Sequence, residues 1–183
     1  MNRTGTYIAF DGLGETNPAK SDFRYYATLK AWTENKNIDF KFVDSHEKTY
    51  ALRDESLKET VYSRIRQRLR ASKNMVVIIT KDTRYTGSIL SYEIELALDV
   101  YKIPLIIVYP GYSNICDVNG LSYLWPKALV ERIWKPDVEA IHIAFAKAPI
   151  MEAINRFSVN GEKLTGGKNY YSRDAYISWG LIK

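Results

Sequence analysis

The sequence is poor in residues that build metal and redox sites, with one cysteine and two histidines among 183 residues. The single Cys116 cannot form an intrachain disulfide, which suits a reducing cytoplasm. No histidine can be placed beside Cys116, so the thiol is not predicted to be a nucleophile. Asp44 and His46 share a loop but supply only two metal ligands, and the chain has no HExxH or CxxC motif. The sequence therefore predicts no bound metal.

The chain also lacks long apolar runs and the common nucleotide-binding and hydrolase motifs. No run reaches the ~18 apolar residues of a membrane span, and the first residues lead into a short strand instead of a signal peptide. We therefore expect a cytoplasmic protein with no membrane partner. There is no P-loop and no G-x-S-x-G elbow. Gly12 and Gly14 resemble the start of a dinucleotide fingerprint, but Asn17 takes the place of its third glycine.

Composition indicates one globular domain with a moderate positive charge. Hydrophobic residues make up 46% of the chain, the formal net charge is +5 and the pI is about 9.1. Much of the positive excess lies in a helical pattern within residues 64–73. We interpret it as a solvated helix face, because no zinc finger or helix-turn-helix accompanies it. Nucleic acid is therefore not the expected partner, although strongly salt-dependent DNA binding would support that alternative.

Short apolar runs alternate with helical patterns along the chain. Predicted strands cover residues 7–10, 38–43, 75–79, 103–109 and 138–145. Predicted helices cover residues 22–34, 57–69, 89–101, 127–133 and 150–157. Such alternation requires crossover connections, so it predicts an α/β fold with a five-stranded, mostly parallel sheet and helices on both faces. His142, in the last strand, is predicted to be a core or edge residue.

An acidic residue lies inside the apolar face of the helix predicted after the third strand. At about 100° per residue, Glu93 falls between Ile89 and Ala97 within a broad apolar arc. The arc comprises Ile89, Leu90, Ile94, Ala97, Val100 and Tyr101. Charged groups are rarely buried unless they are paired or functional. Glu93 is thus either an edge residue that reaches solvent or an arginine, or a site residue close to the end of a buried strand.

Ligands of a doubly wound sheet bind beyond the carboxyl ends of its strands. The loops there cover residues 11–14, 44–49, 80–88 and 110–114. One chemistry needs little more than a single carboxylate: N-glycosidic cleavage passes through a ribose cation, which a carboxylate stabilises. Nicotinamide is already a good leaving group in NAD⁺. Aromatic side chains near the loops could stack on a base or on nicotinamide, with ordinary packing as the alternative for each. They are Phe10, Tyr85, Tyr92 and Tyr112.

Five segments occur in the order found in one bacterial family. They are YIAFD at 7–11, LKAW at 29–32, FKFVDSH at 40–46, IRQRL at 65–69 and SYEI at 91–94. Over roughly residues 5–157, the sequence resembles bacterial TIR-like domains, and in particular the TIR-like subunit of Thoeris antiphage systems. The resemblance implies a flavodoxin-like fold. It divides the chain into a TIR-like domain, residues 1–159, and an aromatic, glycine-containing tail, residues 160–183, packed on the domain or extending from it.

The resemblance also implies an activity. Enzymatic members of the family cleave NAD⁺ as substrate, without a further cofactor, and Thoeris members make a cyclic ADP-ribose isomer that activates a partner effector. Glu93 matches the family's catalytic glutamate. By loop position, Phe10, Asp11, Ser45 and His46 would flank the substrate. Many TIR domains carry Ser-x-Trp-Cys ahead of the glutamate, whereas this chain has Gly-Ser-Ile-Leu at 87–90, which leaves the nicotinamide side of the pocket undefined.

Two further alternatives to an enzyme stand beside the nucleic-acid binder. A TIR-like scaffold would act by assembly with other proteins or as a homo-oligomer, and Glu93 would then be structural. A receiver-like domain could place Asp11 and Asp44 at neighbouring strand ends. The third strand, however, ends in Thr80 and Lys81 where a receiver needs a phospho-acceptor aspartate.

Overall fold

The computed structural model describes residues 3–14, 21–33, 42–43 and 55–183. The described strands are β1 (Gly5–Ala9), β2 (Phe42–Val43), β3 (Ser72–Ile78), β4 (Leu105–Tyr109), β5 (Ala140–Ala144) and β6 (Asn169–Tyr170). The described α-helices are α1 (Phe23–Thr33), α2 (Glu55–Ala71), α3 (Ile89–Glu95), α4 (Lys127–Val130), α5 (Lys147–Arg156) and α6 (Arg173–Ser178). A π-helical turn, Leu96–Val100, extends α3, and a 3₁₀ helix covers Asn119–Leu124.

The strand pairs among the described residues are all parallel, in the order β2-β1-β3-β4-β5-β6. The central strands β1, β4 and β5 are buried along their whole length, which explains their nearly continuous apolar sequences. The predicted α/β class and flavodoxin-like architecture are confirmed. The sixth strand, from the tail, was not predicted, because two residues with no apolar alternation carry no strand signal.

Alternate residues of each strand pack into two hydrophobic cores, one on each face of the sheet. Tyr7 and Val77 pack on the face covered by α2, α3 and α4. Ile8 and Val76 pack on the face covered by α1, α5 and the tail. This is the period-2 alternation of a strand covered on both sides. Among the described residues, no helix combines the length and apolar character needed to cross a membrane.

Residues of the tail contribute buried side chains to the second core. β6 pairs with β5, and Tyr176 of α6 is fully buried, with its hydroxyl accepting a hydrogen bond from the Ala144 amide at 3.3 Å. Trp179 packs edge-on against Tyr171 and Tyr176, with ring centroids 5.0 and 5.5 Å apart. The tail therefore covers the side of β5 that faces away from β4.

A buried hydrogen-bond chain connects β4, β5 and the tail. Trp125 Nε1 donates to the Tyr109 hydroxyl at 2.8 Å, and this hydroxyl lies 2.7 Å from His142 Nδ1. His142 Nε2 lies 2.9 Å from the Gly167 carbonyl, which can only accept, so Nε2 carries the proton and Nδ1 accepts from Tyr109. Burial lowers the pKa of His142 to about 4, against the opposing effect of the Gly167 carbonyl. His142 is a neutral core residue, as predicted.

The strand order reverses between β1 and β3, since the chain moves from β1 outward to β2 and then returns to β3 on the other side. In open α/β sheets the crevice beyond such a switch point is where ligands bind. The segments that follow β1 and β3 are therefore the first place to look for a site.

Candidate functional site

Helix α3 starts at a side-chain cap and carries Glu93 into the core. Ser88 has an extended backbone, and its hydroxyl accepts a hydrogen bond from the Ser91 amide at 3.4 Å, which satisfies one free donor of the first turn. One turn later Glu93 is 1% exposed, between Leu90 and Ile94, which are also buried. Glu93 thus reaches neither solvent nor a directly contacting arginine among the described residues.

The side chain of Glu93 is held from the neighbouring strand. The Tyr7 hydroxyl, fully buried on β1, donates to Glu93 Oε1 at 2.5 Å. The other oxygen, Oε2, has no hydrogen-bond partner among the residues that the structure describes. A buried carboxyl oxygen without a partner is costly, and a catalytic role is one of the explanations for such an atom.

Burial raises the pKa of Glu93 to about 8. The hydrogen bond from Tyr7 opposes this shift because it stabilises the carboxylate, and the charge of Asp11 adds to it. The positive charge of Arg68 opposes the shift more weakly. At neutral pH the isolated protein therefore holds Glu93 mostly as the neutral acid.

Asp11 joins the loops after β1 and β3. Its carboxylate is fully buried and accepts from the Leu13 amide at 2.8 Å and the Arg84 amide at 2.9 Å. The Arg84 guanidinium adds Nε and Nη2 contacts to Asp11 Oδ1 at 3.0 and 2.8 Å. A two-pronged, charge-assisted contact of this kind fixes orientation as well as distance. Asp11 therefore holds the two loops of the switch point together, and its oxygens are already used by the protein.

A second buried acid, Asp22, lies beside the first. It is 1% exposed, and its Oδ2 accepts from the Thr80 hydroxyl at 3.1 Å. Burial raises the pKa of Asp22 to about 6, the Thr80 hydrogen bond opposes the shift, and the charge of Asp11 adds to it. From the sequence, Asp22 was predicted only as the first residue of a helix. Its link to Thr80 spans 58 positions and could not be found from local patterns.

Two of the predicted aromatic residues are engaged by packing. Phe10 is 5% exposed and lies among Phe23 and Tyr26, with ring centroids 6.2 and 5.7 Å away, on the opposite face of the sheet from Tyr7. The Tyr92 ring packs at a tilt of 42° against the Tyr62 ring, with ring centroids 4.4 Å apart. The hydroxyl of Tyr92 accepts a hydrogen bond from Arg66 Nη1 at 2.9 Å.

The other two predicted aromatic residues, Tyr85 and Tyr112, lie in different clefts. Tyr85 is 58% exposed beside α3 and α4, and its carbonyl accepts from the Lys127 amide at 2.8 Å. Tyr112 lines a larger cleft at the ends of β3 and β4. The predicted Ser45 and His46 lie outside the described residues.

The structure therefore places Glu93 within range of the charge of Asp11 and puts the exposed Tyr85 and Tyr112 in different clefts. Sequence reasoning missed Tyr7, Asp22, Thr80 and Arg84. Within the described ranges, no three acidic, histidine or cysteine side chains are grouped closely enough to hold a metal ion. The thiol of Cys116 is free and exposed.

A parallel α/β sheet of this strand order, with helices on both faces, has the architecture of a TIR-like domain. A family model described as the TIR-like domain of the Thoeris protein ThsB matches residues 7–115. The match covers more than half of the chain and includes both Tyr7 and Glu93. The chain belongs to the Thoeris ThsB TIR-like family, and it is a Thoeris-related TIR-like protein.

Proposed function

We propose that this protein processes NAD⁺ by breaking the bond between nicotinamide and ribose, with Glu93 as the catalytic carboxylate. One observation carries the proposal: a buried glutamate, held through one oxygen by Tyr7, keeps its other oxygen without a partner among the described residues. Membership of a Thoeris family supports it, because the resemblance noted above implies NAD⁺ chemistry at this helix position.

The reaction needs a stabilised cation more than a strong acid. When the bond between C1′ and the nicotinamide nitrogen breaks, nicotinamide leaves with the electron pair and positive charge develops on C1′ and the ribose ring oxygen. Glu93, as the carboxylate, stabilises that charge in a site shielded from water. A nucleophile in the ADP-ribosyl unit, such as one of its hydroxyls, then attacks C1′ and releases its proton, which gives a cyclic product. Attack by water gives linear ADP-ribose instead.

The protonation state of Glu93 fits this role once substrate is present. Its pKa is raised to about 8 in the isolated protein, so the carboxyl is mostly neutral at pH 7. The positively charged nicotinamide ring of NAD⁺ would lower that pKa again, because a nearby opposite charge favours the ionised form. Substrate binding therefore creates the carboxylate that the cation needs, and an empty site holds no unpaired buried charge.

The remaining functional assignments belong to the same proposal. The cyclic product would be a signal for a partner effector protein of a cytoplasmic Thoeris system, and homo-oligomerisation is left open. Phe10, Tyr85 and Tyr92 stay predictions as substrate contacts, whereas Tyr112 lines the larger cleft at the ends of β3 and β4. Asp11 contributes by holding the Arg84 loop, since both of its oxygens already accept hydrogen bonds.

The test compares wild type, Glu93→Gln and the matched control Glu95→Gln. Glu95 lies two positions further along α3, and its side chain is 45% exposed. Each protein is expressed in bacteria that are then challenged with several phages, and nucleotides are profiled by mass spectrometry. Wild type and Glu95→Gln should consume NAD⁺ or form a new ADP-ribose isomer, and Glu93→Gln should do neither. Equal profiles for wild type and Glu93→Gln would exclude Glu93 as the catalytic residue.

A non-catalytic scaffold is the second candidate, and the full burial of Glu93 is equally compatible with it, because a purely structural acid would be buried in the same way. In a scaffold, Glu93→Ala would change the melting temperature or the assembly state without changing any nucleotide. Thermal melts and size-exclusion chromatography, run beside the nucleotide profile, separate the two candidates.

A further inference from the structure

We infer that the cleft at the carboxyl ends of β3 and β4 is a second ligand site, separate from Glu93, for a mononucleotide: an aromatic base joined to a phosphate monoester. The cleft has a volume of about 450 Å³, within the ~300–1,000 Å³ range of small-molecule sites. Its functional lining consists of Arg24, Thr80, Lys81, Asp82, Tyr112 and Tyr123. Neither Glu93 nor Tyr7 lines it.

One side of the cleft offers aromatic surface to a ligand. Tyr123 is 75% exposed and Tyr112 is 37% exposed, although both carry large rings. Their hydroxyls are 3.2 Å apart, and the Tyr112 ring lies edge-on to the buried Tyr109 ring with centroids 6.1 Å apart. These contacts position the pair, while the Tyr123 ring stays open for stacking. Any planar nucleobase can stack on an exposed tyrosine ring, because every base has a π-face.

The lining of the cleft also offers positive charge, from Arg24 and Lys81. The Arg24 guanidinium lies 4.7 Å from the centre of the Tyr25 ring, and both residues line the cleft. Lys81 Nζ lies 3.6 Å from Asp82, and the Lys81 side chain is 85% exposed, so this ion pair is weak. Arg24 and Lys81 supply two cations for a phosphate monoester, and the acids next to them, Asp82 and Asp22, disfavour the larger negative charge of a polyphosphate.

Two lining residues of the cleft, Thr80 and Asp82, connect it with the switch point. The Thr80 hydroxyl donates to Asp22, and it accepts a hydrogen bond from the Asp82 amide at 3.3 Å. A ligand that contacts Thr80 and Asp82 therefore contacts the segment that continues through Arg84 into α3. The site is separate in its lining but mechanically connected to the helix that carries Glu93.

Binding of AMP, measured by isothermal titration calorimetry, tests the site. Wild type and Glu93→Gln should bind AMP equally, and adenosine and ribose 5-phosphate should each bind at least about tenfold more weakly, because each lacks one half of the recognised group. Tyr123→Ala should weaken AMP binding about tenfold. Arg24→Gln should weaken AMP binding but leave adenosine binding unchanged.

Two exposed residues outside the cleft provide matched controls: Tyr170→Ala for the tyrosine change and Arg64→Gln for the arginine change. Both should bind AMP as wild type does. The site is refuted if wild type shows no AMP binding, or if Tyr123→Ala and Arg24→Gln bind AMP as tightly as their controls. Loss of AMP binding in Glu93→Gln, or a raised KM for NAD⁺ in Tyr123→Ala, would instead place the nucleotide in the substrate site and overturn the inference.

Discussion

The Tyr7 hydroxyl donates a 2.5 Å hydrogen bond to Glu93 Oε1, and it thereby connects the first strand with the helix that follows the third. The two residues are 86 positions apart, and both side chains are buried. Because this bond favours the ionised form of Glu93, Tyr7 acts as a positioning residue for the proposed chemistry.

Tyr7→Phe removes the hydroxyl and keeps the ring. The pKa of Glu93 should rise further, so the pH at which NAD⁺ turnover reaches half its maximum should move upward, and turnover at pH 7 should fall by roughly tenfold or more. Stability should fall by about 1 kcal/mol, typical of one lost hydrogen bond. The pH profile of kcat/KM, measured beside the melting temperature, checks this. An unshifted pH profile with only a lower melting temperature would make Tyr7 purely structural.

Glu93 should make the protein less stable as pH rises. Its folded pKa is about 8 and its ordinary value is 4.5, so the folded state binds more protons between these values, and stability falls across that window. The loss is on the order of 4 kcal/mol, and Glu93→Gln should abolish it. Urea unfolding of both proteins at pH 5 and pH 8 measures the difference. Parallel pH dependence in the two proteins would contradict a raised pKa at Glu93.

Substrate binding should release a proton if the NAD⁺ ring charge converts Glu93 to its carboxylate. A carbocyclic NAD⁺ analogue resists cleavage and still carries the charged ring. Calorimetric titrations at pH 7 in two buffers with different ionisation enthalpies should report release of close to one proton per analogue bound by wild type. Glu93→Gln should release none. An equal proton count for both proteins would assign the proton to another group.

His142 should limit stability in acid. Its pKa is lowered to about 4 from an ordinary 6.5, so the unfolded state binds more protons between these values, and stability falls as pH drops through that window. The loss is roughly 3 kcal/mol. His142→Gln should lose this pH dependence, whatever its absolute stability. Unfolding at pH 4.5 and 6.5, compared between wild type and variant, isolates the contribution from that of Glu93, which is common to both proteins.

Gly167 has no room for a side chain. A Cβ there would lie 2.2 Å from the Ile133 carbonyl oxygen, so Gly167→Ala forces the backbone apart beside the His142 hydrogen bond. We expect a loss of about 2–4 kcal/mol and faster proteolysis of the tail. Gly12→Ala is the control, because a Cβ at Gly12 meets no atom within 4 Å. Melting temperatures that fall equally in both variants would show that the clash with Ile133 is not the cause of the destabilisation.

The fold could be predicted because local patterns carry it. The apolar runs of β3 and β4 and the helical periodicity around Glu93 identify the central elements without any tertiary information. The prediction of the apolar arc went wrong at Val100, which is 61% exposed. The π-helical turn Leu96–Val100 contains more residues per turn than an α-helix. Its side chains are therefore rotated away from the positions that an α-helix would give them. Its sequence gives no signal of this change.

The site could be predicted only in part, because its partners meet across the fold. The helical pattern identified Glu93 as a candidate, whereas the sequence predicted Tyr7 only as a residue of a buried strand. Strand alternation places Phe10 on the face opposite Tyr7, which loop position alone did not reveal. Arg84 and Asp22 gain their partners only when the loops after β1 and β3 meet. Such contacts depend on topology, which no window of a single sequence contains.

The pairing of β6 with β5 has a consequence for aggregation. The sequence of β5, Ala-Ile-His-Ile-Ala, is apolar apart from His142, and the tail occupies part of its outer edge through Asn169 and Tyr170. An uncovered apolar edge strand is a template on which other chains add strands. A variant truncated before residue 160 would expose this edge to other copies of itself. By covering the edge, the tail therefore disfavours edge-to-edge self-association.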